Sequence, residues 1–165
     1  AADLVPPLMV MDAELKLVGA DGERVVPIED FFTGPGETVL EVGELITEIH
    51  VPLAEGETVF LKLGKRKAQT CAVASAAVRL EMDGSECADA RIVMGSMAPT
   101  ALRCTEAEDF LKGKDLDEDV IAECAEKAVA ATSPIDDQRA TAWYRKKAGK
   151  ALVARALAQA AGLES

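Results

Sequence analysis

The chain has 165 residues, with 18 Lys and Arg against 29 Asp and Glu and a formal net charge of −11. That length suits one domain, or two small ones sharing a core. The negative field argues against a nucleic-acid or anionic-membrane binder, and no apolar run approaches the about eighteen residues of a membrane span.

Residues 4–10 form a short apolar run, with Pro6 and Pro7 suited to the first turn of a helix. Asp3 stands just before it, placed either to cap that helix or to anchor something bound there. Residues 13–18 and 23–28 read as strands joined by Ala20-Asp21-Gly22, an Asp-Gly hairpin signal. Glu29-Asp30-Phe31-Phe32 reads as a helical turn with both phenylalanines in the core, stopped by Thr33-Gly34-Pro35-Gly36. Residues 38–40 make a brief strand, Gly43-Glu44 a turn, and 45–51 a strand closed by Pro52. The sole histidine, His50, falls on the polar phase of that strand with no second ligand nearby, which favours a structural role.

Leu53-Ala54-Glu55-Gly56-Glu57 is a polar link and the expected boundary between units 1–53 and 54–165. Beyond it, residues 58–63, 72–82 and 88–97 describe an antiparallel meander. The small residues Ala72, Ala74, Ser75, Ala76 and Ala77 would let a helix pack close to that sheet. At the end of its first strand and in the loop after it lie Lys62, Lys65, Arg66 and Lys67, four cations within six residues. Residues 1–61, by contrast, hold thirteen carboxylates and only Lys16 and Arg24. Such a loop suits an anion or a negative partner, though a bare charge run of this kind is more often a solvated turn.

The remainder reads as helical. Thr105-Glu106-Ala107-Glu108 has the form of a capping box, opening a helix that ends at Gly113. Residues 117–132 carry a stripe of Val120, Ile121, Cys124, Ala125, Ala128 and Val129, ended by Ser133-Pro134. Residues 139–161 form a longer helix with Trp143, Ala151, Leu152, Val153 and Leu157 available to pack. From Arg139 to Arg155 there are six cations and no carboxylate, so this helix either balances the protein's own acidic surface or docks on an acidic neighbour. Cys71, Cys87, Cys104 and Cys124 form no C-x-x-C pair and read as reduced thiols of a cytoplasmic protein, Cys71 and Cys124 on apolar faces. No catalytic or metal-binding constellation can be assembled. Strands first and helices afterwards give an α+β sandwich.

Six blocks, in order, carry a more specific signal: 1–8 (AADLVPPL), 26–36 (VPIEDFFTGPG), 45–52 (LITEIHVP), 62–70 (KLGKRKAQT), 95–103 (GSMAPTALR) and 133–145 (SPIDDQRATAWYR). Together they resemble the FAD-binding (medium) subunit of the molybdenum hydroxylases, the xanthine dehydrogenase, aldehyde oxidase and aerobic carbon monoxide dehydrogenase type. The resemblance implies the end of the second FAD-binding subdomain, followed by an antiparallel three- to four-stranded sheet packed with three helices. An N-terminal FAD subdomain, with the Gly-rich loops that wrap the pyrophosphate, is then expected outside this chain as its partner.

The resemblance also implies site residues. Asp3 matches an aspartate near the ribityl and phosphate end of FAD. Ile46, with Leu45 beside it, matches the aliphatic cover of one isoalloxazine face. Lys62 matches a lysine close to the flavin ring, where a cation would stabilise negative charge on the N1–C2=O edge of the reduced ring. Lys65, Arg66 and Lys67 would lie on the loop beside that ring, setting its potential or gating access. Relatives often carry Asp where this chain has Thr70, so no role needing that carboxylate is available here. The 94–103 and 133–145 stretches read as shape and interface elements. The implied role is electron transfer through FAD between [2Fe–2S] centres and an external acceptor, reversed in some relatives. The molybdenum cofactor and the [2Fe–2S] centres would sit in partner subunits, and this chain alone would be inactive. The alternative is a non-catalytic assembly module that binds no flavin by itself.

Overall fold

The structure, a computed structural model, describes residues 2–67 and 69–163. It opens with α1 (Val5–Val10), whose prolines occupy the first turn, where a missing N–H costs nothing. β1 (Glu14–Gly19) and β2 (Gly22–Pro27) form the expected hairpin, and Gly22 supplies the φ of 128° that this corner requires. α2 (Ile28–Phe31) follows, then a small ribbon of β3 (Phe32–Gly34) and β4 (Glu37–Thr38). β5 (Leu45–His50) pairs with the free edge of β1, giving an antiparallel sheet of order β2-β1-β5.

The larger sheet is a meander of β6 (Glu57–Gly64), β7 (Ala72–Asp83), β8 (Glu86–Gly95) and β9 (Leu102–Arg103), in that spatial order. Three helices complete it: α3 (Thr105–Leu111), α4 (Glu118–Ala130) and α5 (Ala142–Ala160). The α+β architecture, with a four-stranded antiparallel sheet and three helices, is the one expected.

β7 holds the molecule together because it is covered on both faces. Its first nine residues are all buried, so the sequence there is largely apolar and rich in small residues, broken only by Ser75 and Arg79. Ala74, Ala76, Val78 and Leu80 face a core shared with α3, α4 and α5. Ala77 faces the other way, joining Val93 of β8 to Val5, Met9 and Val10 of α1. The N-terminal helix thus packs directly on the four-stranded sheet. Asp12, just after α1, adds ion pairs to the buried Arg79 at 3.2 Å and to Arg91 at 3.5 Å.

Several local expectations fail for identifiable reasons. The Thr105 capping box does not form: Cys104 takes the N-cap position without a side-chain bond. Glu108 is buried, accepting the Ile92 N–H at 2.8 Å and pairing with Arg103 at 3.0 Å, so it has no reach left for the helix start. α5 begins at Ala142, not 139, because Asp137 accepts the N–H groups of Arg139 and Ala140 and folds that stretch into a turn. Thr141 caps the helix through the Tyr144 N–H at 3.2 Å. Trp143 does not pack; it is 69% exposed, since Arg145, Gly149, Leu152 and Val153 take the inner face. Phe31 is core but Phe32 only half-buried, the two rings meeting edge to face. Cys71 is exposed, whereas Cys87, Cys104 and Cys124 are buried, and all four are free thiols.

Candidate cofactor-facing site

Lys62 sits on β6 opposite Ser75 of β7, near the start of α1. Its ammonium donates to Asp3 Oδ2 at 2.5 Å and to the Thr70 carbonyl at 3.1 Å. Asp3 does not cap α1: the N-cap position is Leu4 and carries no side-chain bond. Its carboxylate is instead engaged by Lys62. Both side chains stay partly exposed, so the pair is available to a third party instead of being sealed in the core.

Asp3 lines a cavity of about 270 Å³ between the start of α1, the β3–β4 turn and the loop after β8. Ser75, Ser96 and Thr100 supply hydroxyls to its wall. A Cβ at Gly95 would lie 2.4 Å from Ser75 Oγ and 2.9 Å from Pro6 Cγ, so only glycine allows this close approach. Ser96 follows at φ 61°, a left-handed conformation that needs support. Arg145 provides it. Its guanidinium, 3% exposed as a residue, donates to Ser96 O at 3.1 Å, Val73 O at 2.5 Å and Asp137 Oδ1 at 2.7 Å. The Arg145 bond, then the backbone N–H of Arg139, hold the Asp137 carboxyl well below the usual carboxylate range. A second cleft of about 390 Å³ shares Pro35, Ser96 and Pro99 with the first and runs on past Cys71, Ile135 and Arg139.

The cationic loop lies over this end of the molecule. Lys65 donates to Gln138 O at 2.8 Å, and Arg66 Nε to Gln69 O at 3.0 Å. The Thr70 hydroxyl accepts the Lys65 N–H at 3.2 Å, pinning the loop without a carboxylate. Leu45 and Ile46 lie elsewhere. They sit on the edge strand β5, 70% and 43% exposed, and neither lines either cavity. The structure brings Asp3 and Lys62 together and keeps Leu45 and Ile46 on a separate apolar edge with Ile49. Sequence reading missed Arg145 and Ser75 as site-shaping residues. The available signal was Arg145 following the acidic pair Asp136-Asp137 in an otherwise cationic stretch.

Asp3, Lys62 and the wall hydroxyls have the chemistry for the polar edges of a flavin nucleotide, a carboxylate, a cation and hydroxyl groups, while the aliphatic surface of Leu45 and Ile46 stands apart from them. The fit is partial. Small-molecule pockets span about 300–1,000 Å³, so a cavity of about 270 Å³ houses only part of a dinucleotide. Among the described residues no Gly-rich loop opens onto a helix to cradle a pyrophosphate.

Comparison with known proteins agrees. Residues 59–160 match the CO dehydrogenase flavoprotein C-terminal domain, and residues 1–54 the FAD binding domain in molybdopterin dehydrogenase. The glyceraldehyde dehydrogenase medium chain of Sulfolobus acidocaldarius is 33% identical over 161 residues, covering 98% of this chain and 57% of the relative. The xanthine dehydrogenase FAD-binding subunit of Escherichia coli O157:H7 is 28% identical, covering 98% and 58%. The crystal structure of quinoline 2-oxidoreductase from Pseudomonas putida 86 superimposes with a TM-score of 0.92 at 31% identity, over 98% of this chain and 57% of that one. Fold and comparisons together define a portion of a flavoprotein subunit. The chain belongs to the CO dehydrogenase flavoprotein C-terminal domain family, within the FAD-binding subunits of molybdenum hydroxylases. It spans about half the length of the curated relatives it matches.

Proposed function

We propose that this chain forms one wall of an FAD site in the electron-transfer subunit of a molybdenum hydroxylase-type oxidoreductase. The observation that carries the reading is the Asp3–Lys62 pair: two residues 59 positions apart, from the two matched families, meeting at the mouth of a cavity. FAD, when bound, supplies the capacity to exchange single electrons with [2Fe–2S] centres and pairs with an external acceptor. The chain's own part is electrostatic and steric. Lys62 holds positive charge at the polar edge, fixed in place by Asp3 and the Thr70 carbonyl. Asp3 orients that ammonium and offers its remaining oxygen to ligand hydroxyls. Ile46 and Leu45 present aliphatic surface that would exclude water from a ring face. The remaining FAD contacts, the molybdenum cofactor and the [2Fe–2S] centres belong to polypeptide outside residues 1–165, and the two units divide after Leu53.

The test is flavin content of the purified, assembled complex. Asp3→Ala and Ile46→Asp should each lower bound flavin per complex while leaving subunit composition unchanged. Full flavin occupancy in both variants would remove these residues from the site and favour the assembly-module role.

A further inference from the structure

The cationic loop and the start of α5 are joined side by side at the outer margin of the site. Lys65 reaches across to Gln138 O at 2.8 Å, joining the β6–β7 loop to the turn before α5. In that turn Asp136 accepts the Ala142 N–H, tying the stretch that carries Ile135 to the first turn of the helix. Ile135 is 71% exposed and Trp143 69%, large apolar side chains that the core has left outside. Lys146 and Lys147 follow Trp143 at i+3 and i+4, on its side of the helix, and Lys147 Nζ stands 5.4 Å from the indole centroid.

The charge on this face is uncompensated. Asp137 is taken by Arg145 and Arg139, and Asp136 by the helix backbone. Among the described residues, Lys65, Arg66, Lys146 and Lys147 pair with no carboxylate, and Lys65 and Arg66 rest on carbonyls instead. Exposed aromatic and aliphatic anchors ringed by cations have the composition of an interface centre, not of a solvated helix face. A small anion calls for converging donors. These lie spread across a surface, two of them already holding carbonyls.

We propose that this face, Lys65, Arg66, Ile135, Trp143, Lys146 and Lys147, docks an acidic electron-carrier protein as the subunit's external redox partner. The inference rests on the electron-transfer reading above and adds the partner's class. Charge complementarity selects the face. With a net charge of −11 the chain as a whole repels an acidic protein, and only within about 8 Å, the Debye length at physiological salt, does the local positive patch prevail. A carrier would thus be admitted in one orientation, with its redox centre beside the cationic loop that flanks Lys62. Weak, salt-sensitive association suits a partner that must leave after each transfer.

The experiment measures binding of a small acidic [2Fe–2S] ferredoxin to the immobilised assembled complex across a salt series. Wild type should bind at low ionic strength and weaken steeply as salt rises. The Lys146→Glu/Lys147→Glu double variant should weaken binding by at least about tenfold and flatten the salt dependence, and Trp143→Ala should weaken it without changing the salt slope. Arg155→Glu near the far end of α5, reversing an exposed cation that has no ion pair among the described residues, should leave binding unchanged. Absence of salt-sensitive binding in wild type, or equal loss in the control, would overturn the proposal. So would a double variant that weakens NADH binding while leaving ferredoxin untouched, since the face would then be a small-anion site. Reduction of an uncharged dye by the same complexes separates the two readings. Dye reduction retained with ferredoxin binding lost supports the docking face, whereas dye reduction absent from wild type counts against electron transfer itself.

Discussion

Replacing Arg145 by Met should destabilise the fold and loosen the loop that walls the cavity. The guanidinium side chain is 4% exposed and donates to Val73 O, Ser96 O and Asp137 Oδ1. Deleting one partner of a buried, hydrogen-bonded charge pair costs about 3–5 kcal/mol. Two features place the expectation at the low end. Asp137 keeps Arg139 at 3.0 Å and two backbone N–H donors, so it is not stranded. Arg145 Nε is itself buried without an acceptor, and its removal relieves that penalty. A loss of about 3 kcal/mol corresponds to a fall in Tm of roughly 6–12 °C for a domain of this size. Arg145→Lys should recover less than half of it, because one ammonium cannot serve two carbonyls and a carboxylate in the planar fork geometry. Thermal and urea unfolding of the three proteins measures this directly. A Met variant within about 1 kcal/mol of wild type, or a Lys variant as stable as wild type, would refute the view that this guanidinium ties β7, the Ser96 loop and α5 together.

Two further outcomes are expected. Glu44 accepts a two-bond fork from Arg24 and the Glu41 N–H, the Arg24 bonds first among the causes that lower its pKa from 4.5 to about 2. A depressed carboxylate stabilises the fold above its unfolded pKa and loses that contribution as pH falls from about 4.5 through about 2; Glu44→Gln should flatten the Tm–pH curve in that window, and an unchanged curve would contradict the assignment. Burial pushes the Cys104 and Cys124 thiols up to about 12 and Cys87 to about 11, while Cys71 is exposed. An aromatic disulfide reagent should therefore modify Cys71 alone in the native protein and all four thiols after unfolding; fast native modification of a second thiol would disprove that burial.

How much of this was legible in the sequence depends on how local each signal is. The Ala20-Asp21 hairpin and the stripe of Ile121, Cys124 and Ala128 are written in nearest neighbours and in one helical period, and each lies where expected. Thr105-x-x-Glu108 is equally local in form, but a half-buried Arg103 and an Ile92 N–H compete for the same buried carboxylate, and tertiary demand wins. β3 and β9, of three and two residues, are too short to leave a period. For the site, the cation cluster and Asp3 could be picked out separately, yet nothing in either segment says they meet. That contact depends on α1 lying across β7, which in turn depends on alanines that look unremarkable until both faces of the strand are covered. Arg145 was hidden for a similar reason: its partners sit 72, 49 and 8 positions away.

The central claim is that Lys62, held by Asp3, stands at the polar edge of a flavin. The most direct measurement is the flavin midpoint potential of the assembled complex, wild type against Lys62→Met, with flavin content determined alongside. Loss of a cation beside the ring should make the flavin harder to reduce, lowering the potential by roughly 30 mV or more, the shift of a tenfold change in a two-electron couple. An unchanged potential at full flavin occupancy would place Lys62 away from the ring and contradict the account.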